Sequence, residues 1–287
     1  MSVLSRLANI GRSIFIKFLI TTIPYIYIKL KDLHGISIYF PSDAFGALEE
    51  NLMTRNIYFD SSSIGNADTI IDLGAHAGGF TIYAILYSRP GTRIIAVEPD
   101  KTNYMLLLAN IKLLKNIIGE KKLKILVLNK AVWHKKARLP FKKTGWSEGG
   151  HLSEAETFKK GVFVDTITLD ELIDLSRGRI IVKIDIEGAE MPVLIGSKKL
   201  YRVNELAIES HGNHVFLIKI LKLFQYDCKV LIYRINPQLF KSWLNIEPSF
   251  YGFLVALYRV LASSMFHPTV LIVKAKKDLE FIHNTGI

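Results

Sequence analysis

A single cysteine, Cys228, stands in a chain of 287 residues. That excludes an intrachain disulfide and a cysteine-rich zinc site, and it fits a reducing compartment. There is no long polar tract: 49% of residues are hydrophobic and 22% are charged, which excludes intrinsic disorder as the main state. No internal repeat or low-complexity linker interrupts the chain, so its length suits one large domain or a domain with appendages. Apolar runs of membrane-spanning length are also missing. The uncharged stretch between Lys17 and Lys29 is eleven residues long and contains Pro24, well short of the roughly 20 that cross a bilayer.

Charge is where the chain has an excess. It carries 37 Lys and Arg against 26 Asp and Glu, a formal net charge of +11. Between Lys112 and Lys143 eleven basic residues face only Glu120, a local excess of +10 that holds nearly the whole surplus. Such a field suits a phosphate-bearing partner, whether nucleic acid, a nucleotide-activated or lipid-linked substrate, or an anionic membrane; it equally suits a solvated face. Residues 1–34 read as an apolar, basic helical extension. Every charge before Asp32 is positive (Arg6, Arg12, Lys17, Lys29, Lys31), so residues 1–31 suit either an anionic membrane surface or packing on a core. No small-residue cleavage site of the secretory kind follows the apolar run.

The middle of the chain reads as alternating strands and helices. Thr69–Leu73, Arg93–Val97, Lys124–Leu128, Ile180–Ile184 and Glu205–Glu209 are continuous apolar runs, the pattern of parallel strands covered on both faces. Lys229–Tyr233 and Thr269–Val273 suit an edge pair. The expected fold is therefore α/β: a doubly wound, mostly parallel, seven-stranded Rossmann-like sheet with an antiparallel edge strand, in a domain spanning 35–280. Two insertions interrupt it, at 134–167 and 236–268, and either is placed to cover a site. The first holds short strands at Arg138–Lys142 and Val162–Ile167 around a Gly-rich loop, Gly145–His151. After it Thr168 and Glu171 have capping-box spacing.

Four strand ends carry chemistry. The first runs Asp72-Leu-Gly74-Ala75-His76-Ala-Gly78-Gly-Phe80-Thr81, small residues that let backbone amides approach a ligand at a helix start. It is not the dinucleotide fingerprint, because His76 stands where the second glycine belongs. The second ends in Glu98-Pro99-Asp100, a carboxylate at the usual ribose-chelating position. The third runs Lys183-Ile-Asp185-Ile-Glu187-Gly-Ala-Glu190, and a fourth strand ends in Glu209-Ser-His211. Together these segments resemble the class I S-adenosylmethionine-dependent methyltransferases and, through the Lys183–Glu190 stretch, the FkbM type in particular. The likeness extends over roughly residues 35 to 235 and includes Asn129-Lys-Ala131 and the Thr168–Asp170 stretch. One departure is His76, where that family usually has Asn, which adds a titratable group beside the expected sulfonium.

The resemblance implies methyl transfer to an oxygen nucleophile of a sugar, glycan or other small metabolite, and the single cysteine suits a cytoplasmic protein. Peripheral attachment at the inner face of the membrane and a lipid-linked acceptor stay open. By the motif match Asp72, Gly74, Ala75, His76, Gly78, Phe80 and Thr81 frame the methionine part of S-adenosylmethionine, Glu98 and Pro99 the ribose, and Asn129 and Ala131 the adenine side, with Asp185 adjoining. Asp185, Glu187 and His211 are the candidates for taking a hydroxyl proton; Asp185, Glu187 and Glu209 are candidate ligands for a divalent metal. Two other readings remain: an RNA methyltransferase using the 112–143 segment, and a non-catalytic membrane-surface protein that retains the fold.

Overall fold

The computed structural model describes residues 25–30, 36–41, 51–52, 56–143, 150–152, 162–212, 214–234, 247–248 and 269–277. The chain forms two compact units, Met1–Gly46 with Asn236–His267, and Ala47–Ile235 with Pro268–Ile287.

In the first unit β1 (Tyr25–Leu30) pairs antiparallel with β2 (Ile36–Pro41) and with a two-residue strand at Glu247–Pro248. The expected helix is therefore a strand at Tyr25–Leu30. The alternating Tyr-Ile-Tyr-Ile after Pro24 explains it: β-branched and aromatic side chains favour a pleated surface, and proline disfavours helix at its preceding residue. Residues 1–24 of the expected extension lie outside the described residues, as does most of the 236–268 insertion. No helix among the described residues is long and apolar enough to cross a membrane.

The second unit opens with α1 (Ser61–Asn66), whose first turn is closed by the Asp60 carboxylate accepting from Ser63 N. There follow β3 (Thr69–Leu73), α2 (Gly79–Tyr87), β4 (Arg93–Val97), α3 (Lys101–Leu113), α4 (Lys115–Glu120) and β5 (Lys124–Leu128). The next strands are β6 (Ala131–Val132), β7 (Arg138–Lys143), β8 (Gly150–Leu152) and β9 (Val162–Ile167), and they form a separate sheet of order β6-β9-β7-β8. The chain then returns through α5 (Leu169–Asp174), β10 (Ile180–Ile184), α6 (Glu190–Gly196), β11 (Glu205–Glu209), α7 (His214–Leu223), β12 (Tyr226–Arg234) and β13 (Thr269–Lys277).

The main sheet has seven strands in the order β12-β13-β11-β10-β3-β4-β5. Strands β3, β4, β5, β10 and β11 are mutually parallel, as their continuous apolar runs predict. The antiparallel strand is β13, one place in from the edge, between β11 and β12. Central strands β3 and β10 are buried along their whole length, and Ile71, Leu73, Ile180, Val182 and Ile184 pack into one large cluster with Leu169, Leu172, Leu194 and Leu217 of the flanking helices. Helix α2 is buried almost all round, whereas β5 at the sheet edge is only half covered.

In the smaller sheet Gly150 and His151, expected in a loop, belong to β8 and pair with Lys143 and Lys142. A Cβ at Gly150 would overlap the ring of Phe141, so the glycine is what lets the strands close. Residues 144–149 of that loop lie outside the described residues. The capping box at α5 is present: the Thr168 hydroxyl accepts from Glu171 N, and the Glu171 carboxylate accepts from Thr168 N. The basic segment runs from the end of α3 through α4 and β5 into β7, with Lys112, Lys115, Lys122 and Lys124 exposed. Lys121 is used internally, its ammonium donating to the carbonyl oxygens of Leu86 and Ser88 at the end of α2.

Candidate functional site

All four motif segments meet at the carboxyl ends of β3, β4, β10 and β11, the edge at which open α/β sheets bind ligands. Their approach is set by backbone geometry. Gly74 N and Ala75 N both donate to Val97 O at 3.0 Å, and Asp185 N donates to Leu73 O at 3.1 Å, so the β3 turn is held from both sides. Gly74 has φ +77°, and a Cβ there would overlap the Asp185 carbonyl oxygen; no other residue type fits. Gly78, at φ +97°, starts α2 against Leu107.

Beneath this turn lies a buried ion cluster. Lys183 sits beside Asp72 across the β10–β3 register, which puts both side chains on one face. Its ammonium donates to Gly74 O at 2.8 Å and lies 3.5 Å from Asp72 and 3.2 Å from Asp185. The Tyr58 ring lies 5.3 Å from the same nitrogen. Burial alone would lower the Lys183 pKa, but the charges of Asp185 and Asp72 outweigh it and hold the ammonium protonated. Asp72 is fully buried; burial raises its pKa against the opposing pull of Lys183 and of the Thr81 hydroxyl, which donates at 2.6 Å. Asp72, Phe80 and Thr81 are therefore sealed inside and support the turn from below, where direct framing of a ligand was expected of them.

Glu98 closes the second strand end. One carboxylate oxygen accepts from His76 N at 2.8 Å and the other from Asp100 N at 2.8 Å, which ties the β3 and β4 turns together. Burial pushes its pKa up to about 7, against the pull of these two amides. His76 has φ +51°, a left-handed conformation fixed by that bond. Asn129 donates to the carbonyl oxygens of Glu98 and Pro99 and so fixes the β4 turn. Ala131, expected on the adenine side, is instead packed against Phe141 and Val164 in the core of the smaller sheet. Its small side chain fits that sheet's interior.

The third and fourth strand ends converge on acidic groups and one histidine. Glu187 (φ +52°) and Gly188 (φ +93°) form a left-handed pair that turns the chain into α6. The buried Glu190 carboxylate accepts from Gly188 N at 3.0 Å and makes a 2.9 Å bond to His211 Nδ1. His211 Nε2 lies 3.5 Å from Glu187 and 3.8 Å from Glu209. Opposite, the buried Tyr58 hydroxyl donates to Glu209 at 2.6 Å and lies 3.4 Å from Asp185. Asp185, Glu209 and His211 each present one heteroatom within 4.8 Å of the other two.

Burial and the Asp185 charge push Glu209 up to about 8, against the Tyr58 bond that pulls it down. For His211 burial pulls downward, but the bond to Glu190 and the charges of Asp185 and Glu187 prevail and push it up to about 9. At neutral pH the imidazole already holds its second proton. His211 alone is therefore a poor proton acceptor in this arrangement, contrary to the sequence expectation; the surrounding carboxylates are the reason.

Sequence reasoning missed Lys183, Tyr58 and Glu190 as working parts. Lys183 was detectable as the one charge inside a fully apolar strand, and a buried cation requires partners. Tyr58 gave no local signal, since its role depends on a contact 151 residues away.

Strand order and this cradle define a Rossmann-like methyltransferase fold. The Methyltransferase FkbM domain matches residues 72–235, more than half of the chain, and the chain belongs to that family. No curated protein matches it. Among solved structures it resembles a methyltransferase FkbM from Methylobacillus flagellatus KT at 15% identity and TM-score 0.45, over 79% of this chain and 47% of that one. The chain thus spans about half the length of the Methylobacillus protein. It also resembles a precorrin-6y C5,15-methyltransferase from Geobacter metallireducens (14% identity, TM-score 0.40, 76% and 84% covered). A third is M. jannaschii TYW2 in complex with AdoMet (11%, TM-score 0.38, 89% and 87%).

Proposed function

We propose that the chain binds S-adenosylmethionine across the Gly74–Gly78 and Glu98 turns and methylates a hydroxyl oxygen of a sugar, glycan, lipid-linked or other small acceptor. The residues fit the cofactor. Gly74 and Gly78 bring bare backbone to the turn, and each Glu98 oxygen has one amide partner, which leaves about two of a carboxylate's four acceptor sites for ribose hydroxyls. When bound, the cofactor supplies an electrophilic methyl group. The protein supplies position and proton management.

The observation that carries this reading is the contact between Gly74 and the Asp185 backbone, which brings the cofactor turn and the carboxylate group together. As the acceptor oxygen gains its methyl group it must lose its proton, and Asp185 and Glu187 form the receiving group. Lys183 and Tyr58 hold Asp185 and Glu209 in place through the bonds above. Peripheral attachment to the inner face of a membrane accords with the exposed lysines of α3, α4 and β5.

The test is transfer of isotopically labelled methyl from S-adenosylmethionine to glycan, lipid and RNA fractions, with Asp185→Asn as the control. Label in a glycan or lipid fraction that falls at least a hundredfold in the control supports the reading. Label confined to RNA moves the acceptor to nucleic acid, and a protein that binds the cofactor yet labels no fraction contradicts it.

A further inference from the structure

We propose that Asp185, Glu209 and His211 form a site for one divalent cation of the Mn²⁺ class, which holds and acidifies the acceptor hydroxyl. The proposal rests on the methyltransferase reading for the cation's role, but not for its binding.

Each of the three residues has one heteroatom engaged from behind. Asp185 Oδ2 is held by Lys183 at 3.2 Å and faces the Tyr58 hydroxyl, Glu209 Oε2 accepts from Tyr58, and His211 Nδ1 is bound to Glu190. The remaining heteroatoms are the second carboxylate oxygen of Asp185, Glu209 Oε1 and His211 Nε2, which faces Glu187 at 3.5 Å and Glu209 at 3.8 Å and gives up its proton when the ion binds. The Glu190 bond is the outer-shell arrangement that fixes a metal-binding imidazole, with a buried carboxylate on one nitrogen and the other nitrogen turned outward. Glu190 is itself anchored by Gly188 N, so the ring orientation is imposed by the turn into α6.

The donor set is two carboxylate oxygens and one imidazole nitrogen. Mixed oxygen and nitrogen ligation suits Mn²⁺, Fe²⁺ or Zn²⁺ better than the all-oxygen shells of Ca²⁺ and Mg²⁺. With bonds of about 2.1 Å, neighbouring donors stand about 3 Å apart. His211 Nε2 and Glu209 Oε1, at 3.8 Å, need only a small side-chain rotation. Charge agrees: Asp72 and Asp185 pair with Lys183, and the carboxylates of Glu187, Glu190 and Glu209 surround His211. Three protein donors leave coordination positions for an acceptor oxygen, whose hydroxyl proton the ion would loosen. Glu187, beside His211 and not needed as a ligand, then receives that proton.

The experiment is titration of the full chain with Mn²⁺ alone, without cofactor or acceptor, by calorimetry and by the loss of the free-ion paramagnetic resonance signal. The expected result is saturable binding of one ion per chain, weakened at least tenfold by His211→Ala and by Glu209→Gln, and unchanged by Asp174→Asn in the exposed pair with Lys199. Circular dichroism checks that the variants fold. Absence of saturable binding to the wild-type chain overturns the proposal whatever the variants do, and so does binding that both site substitutions leave intact. Failure of methyl transfer with Mn²⁺ binding intact would count against the functional reading and leave the cation site standing.

Discussion

Replacing Lys183 by Met tests whether the buried cation holds the site together. The substitution keeps an unbranched chain of similar length, so the lost quantity is charge. In the wild type one ammonium serves Asp72, Asp185 and the Gly74 carbonyl from a position that is 3% exposed. Removing one partner of a buried ion pair costs about 3–5 kcal/mol, because the other charge remains buried and uncompensated. For a unit of this size that lowers Tm by roughly 6–20 °C. Asp72, already raised by burial, loses the interaction that opposes the rise. An acid whose pKa is raised on folding contributes stability that is full below its unfolded pKa and is lost as pH climbs through the folded one. The deficit of Lys183→Met is therefore expected to be largest near pH 8 and to narrow as pH falls toward 4, and adding Asp72→Asn should restore part of it. Urea denaturation of the wild type and the two variants across that range measures all of this. A Lys183→Met variant within about 1 kcal/mol of wild type at pH 8, with no pH trend, would refute the assignment.

Other outcomes follow from the same geometry. Gly74→Ala should yield a protein that does not fold or folds at least about 3 kcal/mol less stably, since the new Cβ meets backbone and the residue has φ +77°; thermal unfolding shows it. Thr168→Ala, which removes the α5 capping box, should cost about 1 kcal/mol without changing cofactor affinity; paired denaturation and binding curves check this. Because Glu98 has a pKa of about 7 in the folded chain and ribose hydroxyls need its ionised form, cofactor affinity should fall about tenfold from pH 8 to pH 6. Calorimetry at the two pH values decides it, and a pH-independent affinity would remove Glu98 from the ribose role.

The sheet was legible in the sequence because parallel strands buried on both faces leave continuous apolar runs, and Thr69–Leu73 and Ile180–Ile184 are such runs with clear ends. The edge pair β12 and β13 was visible for the same reason, although hydrophobicity could not show that β13 inserts between β11 and β12. Tyr25–Leu30 was read as helix because apolar content outweighed its period of two. At Gly150 glycine suggested a loop where strand closure beneath Phe141 was the actual constraint. In the site, the strand-end motifs singled out Glu98, Asp185, Glu187, Glu209 and His211, which the structure brings to one sheet edge. They could not separate residues facing a ligand from those sealed beneath it, because Asp72 and Thr81 satisfy each other through a side-chain bond that spacing alone does not disclose. The proton state of His211 was likewise out of reach, since it depends on Glu190 closing onto it from the turn into α6.

The most direct test of the account is calorimetric titration of S-adenosylmethionine into the full chain and into Glu98→Ala at pH 8. The account predicts one saturable site in the wild type and affinity at least tenfold weaker in the variant, whose folding is confirmed by circular dichroism. A wild-type chain that takes up no cofactor, or a variant that binds it equally well, would contradict it.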